Sequence, residues 1–156
     1  MAQNRSMEAR TGRVNQRYGP SGERLVAGVV ALSPTKTQVL LIQATKRTSW
    51  VLPKGGWELD EATPAMAACR EAWEEAGVIC TVVRDLGKIP EMAEGGGAGM
   101  PKVEYRFFEV SVEREESQWP EMGKRERSWM GYAQAKGALK DRPELVEALE
   151  RSAIVR

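Results

Sequence analysis

The chain has 156 residues, of which 42% are apolar and 29% charged, and its net charge is +1. That balance suits one globular domain with a hydrophobic core and is too apolar for a disordered chain. It holds no histidine and only two cysteines, which excludes histidine-dependent serine triads, zinc proteases and deaminases, histidine-nucleophile phosphatases and four-cysteine zinc sites.

Catalysis must then run on carboxylates, lysines, tyrosines, backbone amides or metal-bound water, a set that leans towards hard cations held by oxygen. Cys69 and Cys80 read as small buried thiols. The longest apolar run, residues 25–32, is far too short to span a membrane. Residues 1–8 contain no apolar leader, so the expected location is cytoplasmic, with the nucleus also open.

In chain order, residues 1–23 read as a basic N-terminal arm and 24–156 as a single domain. Residues 24–32 predict a buried strand ended by Ser33 and Pro34, and 39–42 a second strand at hairpin distance. Residues 50–52 form a short third strand stopped by Pro53. Thr63 and Pro64 open a helix as N-cap and first helical residue, and Gly77 closes it. Within it Met66, Cys69, Trp73 and Ala76 make an apolar stripe expected to face the core. Strands follow over 78–83 and 104–112, separated by a glycine-rich loop at 94–99. A short strand over 128–132, a short helix over 133–139 and a helix over 143–152 complete an α/β chain with a mixed sheet flanked by helices.

Charge is segregated along this order. Residues 1–47 carry eight basic against two acidic side chains, a net +6. Residues 58–75 carry six acidic against one basic, a net −5, and 119–142 return to +3. Taken singly, each charge is solvated surface. Together they describe a carboxylate cluster between basic walls, which suits a polyanion brought in with divalent metal.

The cluster centres on Glu71, Glu74 and Glu75, which project from one helix face at spacings of three and four. An acidic, glycine-rich loop, residues 55–61, runs into this helix. Carboxylates on a rigid helix suit magnesium, which prefers octahedral oxygen ligation and keeps several waters. Such a metal neutralises phosphate oxygens and lowers the pKa of water, the two needs of pyrophosphate hydrolysis. Glu71 and Glu75 are the best ligand pair, Glu74 the candidate base or a ligand through water, and Lys54 or Gly55 can add a backbone carbonyl. Arg70 orients the carboxylates by bidentate hydrogen bonds.

The run from Arg70 through Glu71, Glu74, Glu75 and Gly77 to Val78 resembles the Nudix box at every fixed position of its helical half. The loop half departs by one residue. Gly55 and Glu61 have the box's spacing, yet counting back from Arg70 falls on Ala62, so either the loop carries one extra residue or Glu58 and Glu61 share the role. The resemblance implies the Nudix fold, a mixed sheet sandwiched between helices. Residues 50–58, 70–77 and 142–154 further resemble the fungal diphosphoinositol polyphosphate phosphohydrolases, which also cleave diadenosine polyphosphates and, in some cases, inorganic polyphosphate. That likeness implies magnesium, with manganese as a substitute, and a polyanionic small-molecule substrate, with no membrane or specific nucleic-acid partner. It also implies a binding set of Arg10, Arg24, Lys46, Lys54, Gly55, Gly56, Lys102, Lys124, Arg125 and Arg142. The competing expectations are an mRNA-cap or nucleotide-sugar pyrophosphohydrolase of the same family, and a non-catalytic inositol-phosphate-binding module.

Overall fold

A computed structural model describes residues 5–44, 48–93 and 100–156. Lys46 and the 94–99 loop lie outside the described residues. The elements are β1 (Arg24–Leu32), β2 (Val39–Gln43), β3 (Trp50–Val51), β4 (Lys54–Gly56), α1 (Pro64–Ala76), β5 (Val78–Met92), β6 (Pro101–Glu115), β7 (Arg127–Met130), α2 (Tyr132–Ala138) and α3 (Pro143–Arg151).

β1 is the axis of the sheet because it is apolar on both faces, with Val26 to Leu32 buried except for Gly28's lack of a side chain to bury. It pairs parallel with β6 and antiparallel with β2 and β4. β2 carries β3 and β7, and β5 lines the far side of β6, giving a mixed seven-stranded sheet. α1 packs on β1, α2 on β2 and α3 on β5. Among the described residues no helix is long and apolar enough to cross a membrane.

Several boundaries differ from the sequence reading. β4 was not expected; it is the strand on which the glycine-rich loop begins, and it pairs Lys54 with Gly28 and Gly56 with Val26. β5 and β6 are 15 residues each, far longer than expected. Their pairing passes through four register shifts, and such bulges interrupt the period-two alternation that marks a strand in sequence.

α1 begins and ends where its caps place it. Thr63 accepts the Met66 N–H at 3.2 Å, and Gly77 takes φ 69°, where its N–H reaches the carbonyls of Ala72 and Trp73. Its core face is corrected in part. Trp73 and Ala76 of the expected stripe are buried, but Met66 is 53% exposed and Cys69 half-buried, while Ala67, Ala68 and Ala72 are fully buried. The buried face is shifted towards the alanines, which let the helix approach β1 closely.

The N-terminal arm lies along the domain. Gln16 bridges to Glu58 and Tyr18 to Arg24, and the indole N–H of Trp73 donates to the Ser6 carbonyl at 2.8 Å. The Gln16 side chain is buried, donating to the Leu25 carbonyl and accepting from Arg24 Nε at 2.8 Å each.

Candidate active site

Because the alanine face of α1 is turned to the sheet, Glu71, Glu74 and Glu75 are turned toward β4 rather than to open water. They are only 8%, 5% and 9% exposed. Burial of three carboxylates on one helical turn costs free energy unless cations or donors meet them. Arg70 supplies the first compensation. Its guanidinium donates to Glu61 through Nε at 2.7 Å and Nη2 at 2.9 Å, to Glu71 at 2.8 Å, to Glu74 at 3.2 Å and to the Gly56 carbonyl at 2.8 Å. Burial alone would lower the Arg70 pKa, and its pairs with Glu61 and Glu71 reverse that and raise it.

This network decides between the two loop glutamates. Glu61 is buried, takes the Arg70 fork and accepts the Glu58 N–H at 3.0 Å. Glu58 instead meets Arg10 at 2.7 Å, beside Asp60 at 2.8 Å. The spacing from Gly55 therefore identifies the Arg70 partner, and the extra residue falls between Glu61 and Arg70. The carboxylates of Glu58, Asp60 and Glu61 lie within 4.8 Å of one another, but Arg10 and Arg70 already neutralise that group.

Glu75 is held from two other directions. Its Oε1 accepts the Lys54 N–H at 3.1 Å, and its Oε2 faces Arg125 at 3.5 Å. The last turn of α1 is clamped as well. The carbonyls of Glu74, Glu75 and Ala76 accept from the Glu121 N–H, the Trp119 indole and Arg127 at 3.1, 3.2 and 2.8 Å. Residues 119–127 thus do for these orphan carbonyls what a basic last turn would do within the helix.

The compensation is incomplete. Burial, with repulsion from Glu75 next, pushes the Glu71 carboxyl up to about 8. Burial pushes Glu75 up to about 7 against the pull of Arg125, and Glu74 is raised for the same first reason. A donor set of several buried, under-neutralised carboxylate oxygens has the chemistry of a hard divalent cation site, so the residues fit magnesium or manganese.

These side chains line a cleft of about 230 Å³ that also holds Arg10, Arg24, Lys54, Gly55, Gly56 and Tyr105. Gly55 is needed there. A β-carbon on it would stand 2.2 Å from the Glu71 carboxylate. Gly55→Ala is therefore expected to displace Glu71 and cost about 10–100-fold in kcat/KM, as losing a metal ligand's support does, with Tm within a few degrees of wild type. Steady-state kinetics beside a thermal melt checks it; unchanged kcat/KM would show that Glu71's position is irrelevant to turnover.

Not every expected binding residue faces this cleft. Arg24 and Lys54 do, and burial lowers the pKa of both. Lys124 and Arg142 line a neighbouring cavity of about 1090 Å³, with Trp50, Ser49 and Asp141. Arg142 also reaches the cleft wall by donating to the Tyr105 hydroxyl at 3.2 Å. Two others are engaged by carboxylates of the protein itself. Arg125 is 11% exposed and donates its guanidinium to Glu121 at 2.6 Å, the Gln43 carbonyl at 2.9 Å and Glu75, which supports the Glu75 carboxylate. Lys102 pairs with Glu91 at 3.4 Å, is 62% exposed and lines neither cavity. Gln16, Tyr105 and Glu121 line the cleft without having been singled out. Glu121 carried a signal, its four-residue spacing from Arg125; Gln16 carried none.

Residues 22–151 match the NUDIX domain family. The chain is 39% identical over 142 residues to Nudix hydrolase 18, mitochondrial, of Arabidopsis thaliana, covering 85% of this chain and 78% of that protein. Among solved structures, a NUDIX hydrolase from Nitrosomonas europaea aligns with a TM-score of 0.70 at 16% identity, over 83% of this chain and 87% of that one. A C. elegans Ap4A hydrolase, solved as a binary complex, aligns with a TM-score of 0.61 at 20% identity, over 81% and 93%. The two structures share the fold. The comparisons overturn the cytoplasmic or nuclear expectation, since five of the Arabidopsis thaliana relatives carry mitochondrial names. That expectation rested on a missing apolar leader, whereas organelle transit peptides are amphipathic and arginine-rich, not apolar.

Proposed function

The chain belongs to the Nudix family, has its fold and acts on pyrophosphate bonds, and from that premise we propose a metal-dependent hydrolase of diphosphoinositol polyphosphates and diadenosine polyphosphates, with inorganic polyphosphate as a further substrate. The observation that carries the reading is the juxtaposition of the buried glutamate cleft with a larger cavity bearing Lys124 and Arg142. A diphosphate group fits the first while phosphates elsewhere on the molecule meet the cations of the second. The C. elegans structural neighbour is an Ap4A hydrolase by name, which agrees with the dinucleotide part of the reading.

Glu71 and Glu75 would hold the metal, with Glu74 beside them. When bound, the metal neutralises phosphate oxygens and lowers the barrier to attack by water. The chain's own residues do the rest. Arg70 fixes Glu71 and Glu74 in orientation, and the Lys54 N–H together with Arg125 fixes Glu75. Glu74 takes the proton of the attacking water at Oε2, since its Oε1 is held by Arg70 while Oε2 carries only a 3.3 Å bond from the Arg10 N–H. Its raised pKa brings it nearer to neutrality, where a general base is most effective. Arg24 and Lys54, both in the cleft, draw the anionic substrate in.

A substrate panel with magnesium tests the proposal. Orthophosphate release from inositol pyrophosphate and turnover of diadenosine polyphosphates are expected. Lys124→Ala and Arg142→Ala should each raise KM about tenfold for the inositol substrate with kcat nearly constant, because contacts that persist into the transition state act as uniform binding. The rise should be smaller for the linear dinucleotide. Cap-nucleotide release or sugar-nucleotide cleavage as the preferred reaction would overturn the substrate assignment, and no turnover of any substrate would leave a binding module.

A further inference from the structure

Cys69 stands on α1 and Cys80 on β5, and their Sγ atoms meet at 3.8 Å. Both side chains are half-buried, not sealed in the core as the sequence suggested. To form a disulfide the two sulfurs must close from this contact to the sulfur–sulfur bond length of about 2.05 Å. The strand is irregular at this point: the register of β5 against β6 shifts between Ile79 and Cys80, and such a bulge re-aims a side chain. We propose that Cys69 and Cys80 form a reversible redox site, in which a low-molecular-weight disulfide such as oxidised glutathione converts the pair to an intramolecular disulfide that staples α1 to β5.

The exchange proceeds in two balanced steps. One cysteine, as its thiolate, attacks a sulfur of the glutathione disulfide, forming a mixed disulfide and releasing one glutathione thiolate. The other cysteine gives its proton to solvent and attacks the protein sulfur of the mixed disulfide, releasing the second glutathione thiolate. The protein gives up two electrons and two protons, and one glutathione disulfide becomes two glutathione molecules.

The staple leaves the carboxylate face alone. At about 100° per residue, Cys69 lies on the side of α1 opposite Glu71, Glu74 and Glu75. Its effect should fall on stability, since closing this short loop removes freedom from the unfolded chain.

The experiment uses the full chain, oxidised glutathione at pH 8 and a tryptic digest. Cleavage after Lys54, Arg70 and Arg84 places Cys69 in peptide 55–70 and Cys80 in peptide 71–84. Expected are a cross-linked pair of these peptides lacking two hydrogens, loss of both free thiols, recovery with dithiothreitol, a Tm several degrees higher and turnover within about twofold of the reduced enzyme. Cys80→Ser should accumulate the mixed disulfide at Cys69, because the resolving thiol is gone. Two thiols that stay free, a wild-type protein that keeps glutathione attached, or a disulfide joining two molecules would each overturn the proposal. The wild-type peptide map decides the matter even if the serine variant fails to fold.

Discussion

Glu75→Gln is expected to lose on the order of 10³-fold in kcat/KM while making the metal-free protein more stable at pH 8. The kinetic loss follows from removing a charged ligand: several kcal/mol of transition-state charge stabilisation disappear, and each 1.4 kcal/mol is a factor of ten. The stability gain follows from burial. Glu75 is raised to about 7 in the folded protein, first by loss of solvation. An acid whose folded pKa lies above its unfolded value destabilises the fold increasingly as pH rises from the unfolded pKa through the folded one. At pH 5 the carboxyl is protonated in the folded state and the glutamine gains little. At pH 8 the gain is about 1–3 kcal/mol. Urea titrations in a chelator at both pH values, beside kcat/KM with magnesium, separate the two effects. A variant that is less stable at pH 8, or that keeps wild-type turnover, would remove Glu75 from the metal face.

The opposite signs expected for activity and stability explain why the site was legible when parts of the fold were not. Glu71, Glu74 and Glu75 on one helix face, next to a glycine-rich acidic loop, repel one another, and a pattern that local physics disfavours needs a reason outside local structure. The caps of α1 were readable for a related reason, since Thr63, Pro64 and Gly77 act through their own backbone geometry. The helix's buried face was legible only in part: Trp73 and Ala76 are buried as expected, but Ala68 and Ala72 give a weak hydropathy signal beside the exposed Met66. The long bulged strands were not, because each register shift resets the alternation. The basic residues divided in the same way. Arg24 and Lys54 face the cleft, whereas Arg125 and Lys102 found carboxylates of the protein's own, and apart from the four-residue spacing of Glu121 and Arg125 no spacing within the chain distinguishes those outcomes. The loop's one-residue offset became intelligible only with the Arg70 contacts in view, since Glu61 reaches the guanidinium from a position one residue earlier than the box predicts.

Arg70→Ala is expected to cost about 3–5 kcal/mol at pH 8, the usual penalty for removing one partner from a buried ion pair. The side chain is 13% exposed and serves Glu61, Glu71, Glu74 and the Gly56 carbonyl together, so its loss leaves several buried acceptors without a donor. Arg70→Lys should recover only part of this, because an ammonium cannot reproduce a planar fork that spans two chain segments. The pH dependence identifies the cause. Arg70 pulls the Glu71 and Glu74 carboxyls down against burial. Without it their folded pKa values climb further above the unfolded value, and Glu71 already stands at about 8. The deficit relative to wild type therefore widens as pH rises from the wild-type folded values towards the variant's, which for Glu71 means from about 8 upward. Urea unfolding of the metal-free protein at pH 5.5 and pH 9 measures this directly. The midpoint should fall at both values and fall further at pH 9, with the slope unchanged. An equal fall at the two pH values would mean that Arg70 contributes packing of its stem rather than neutralisation of the glutamates.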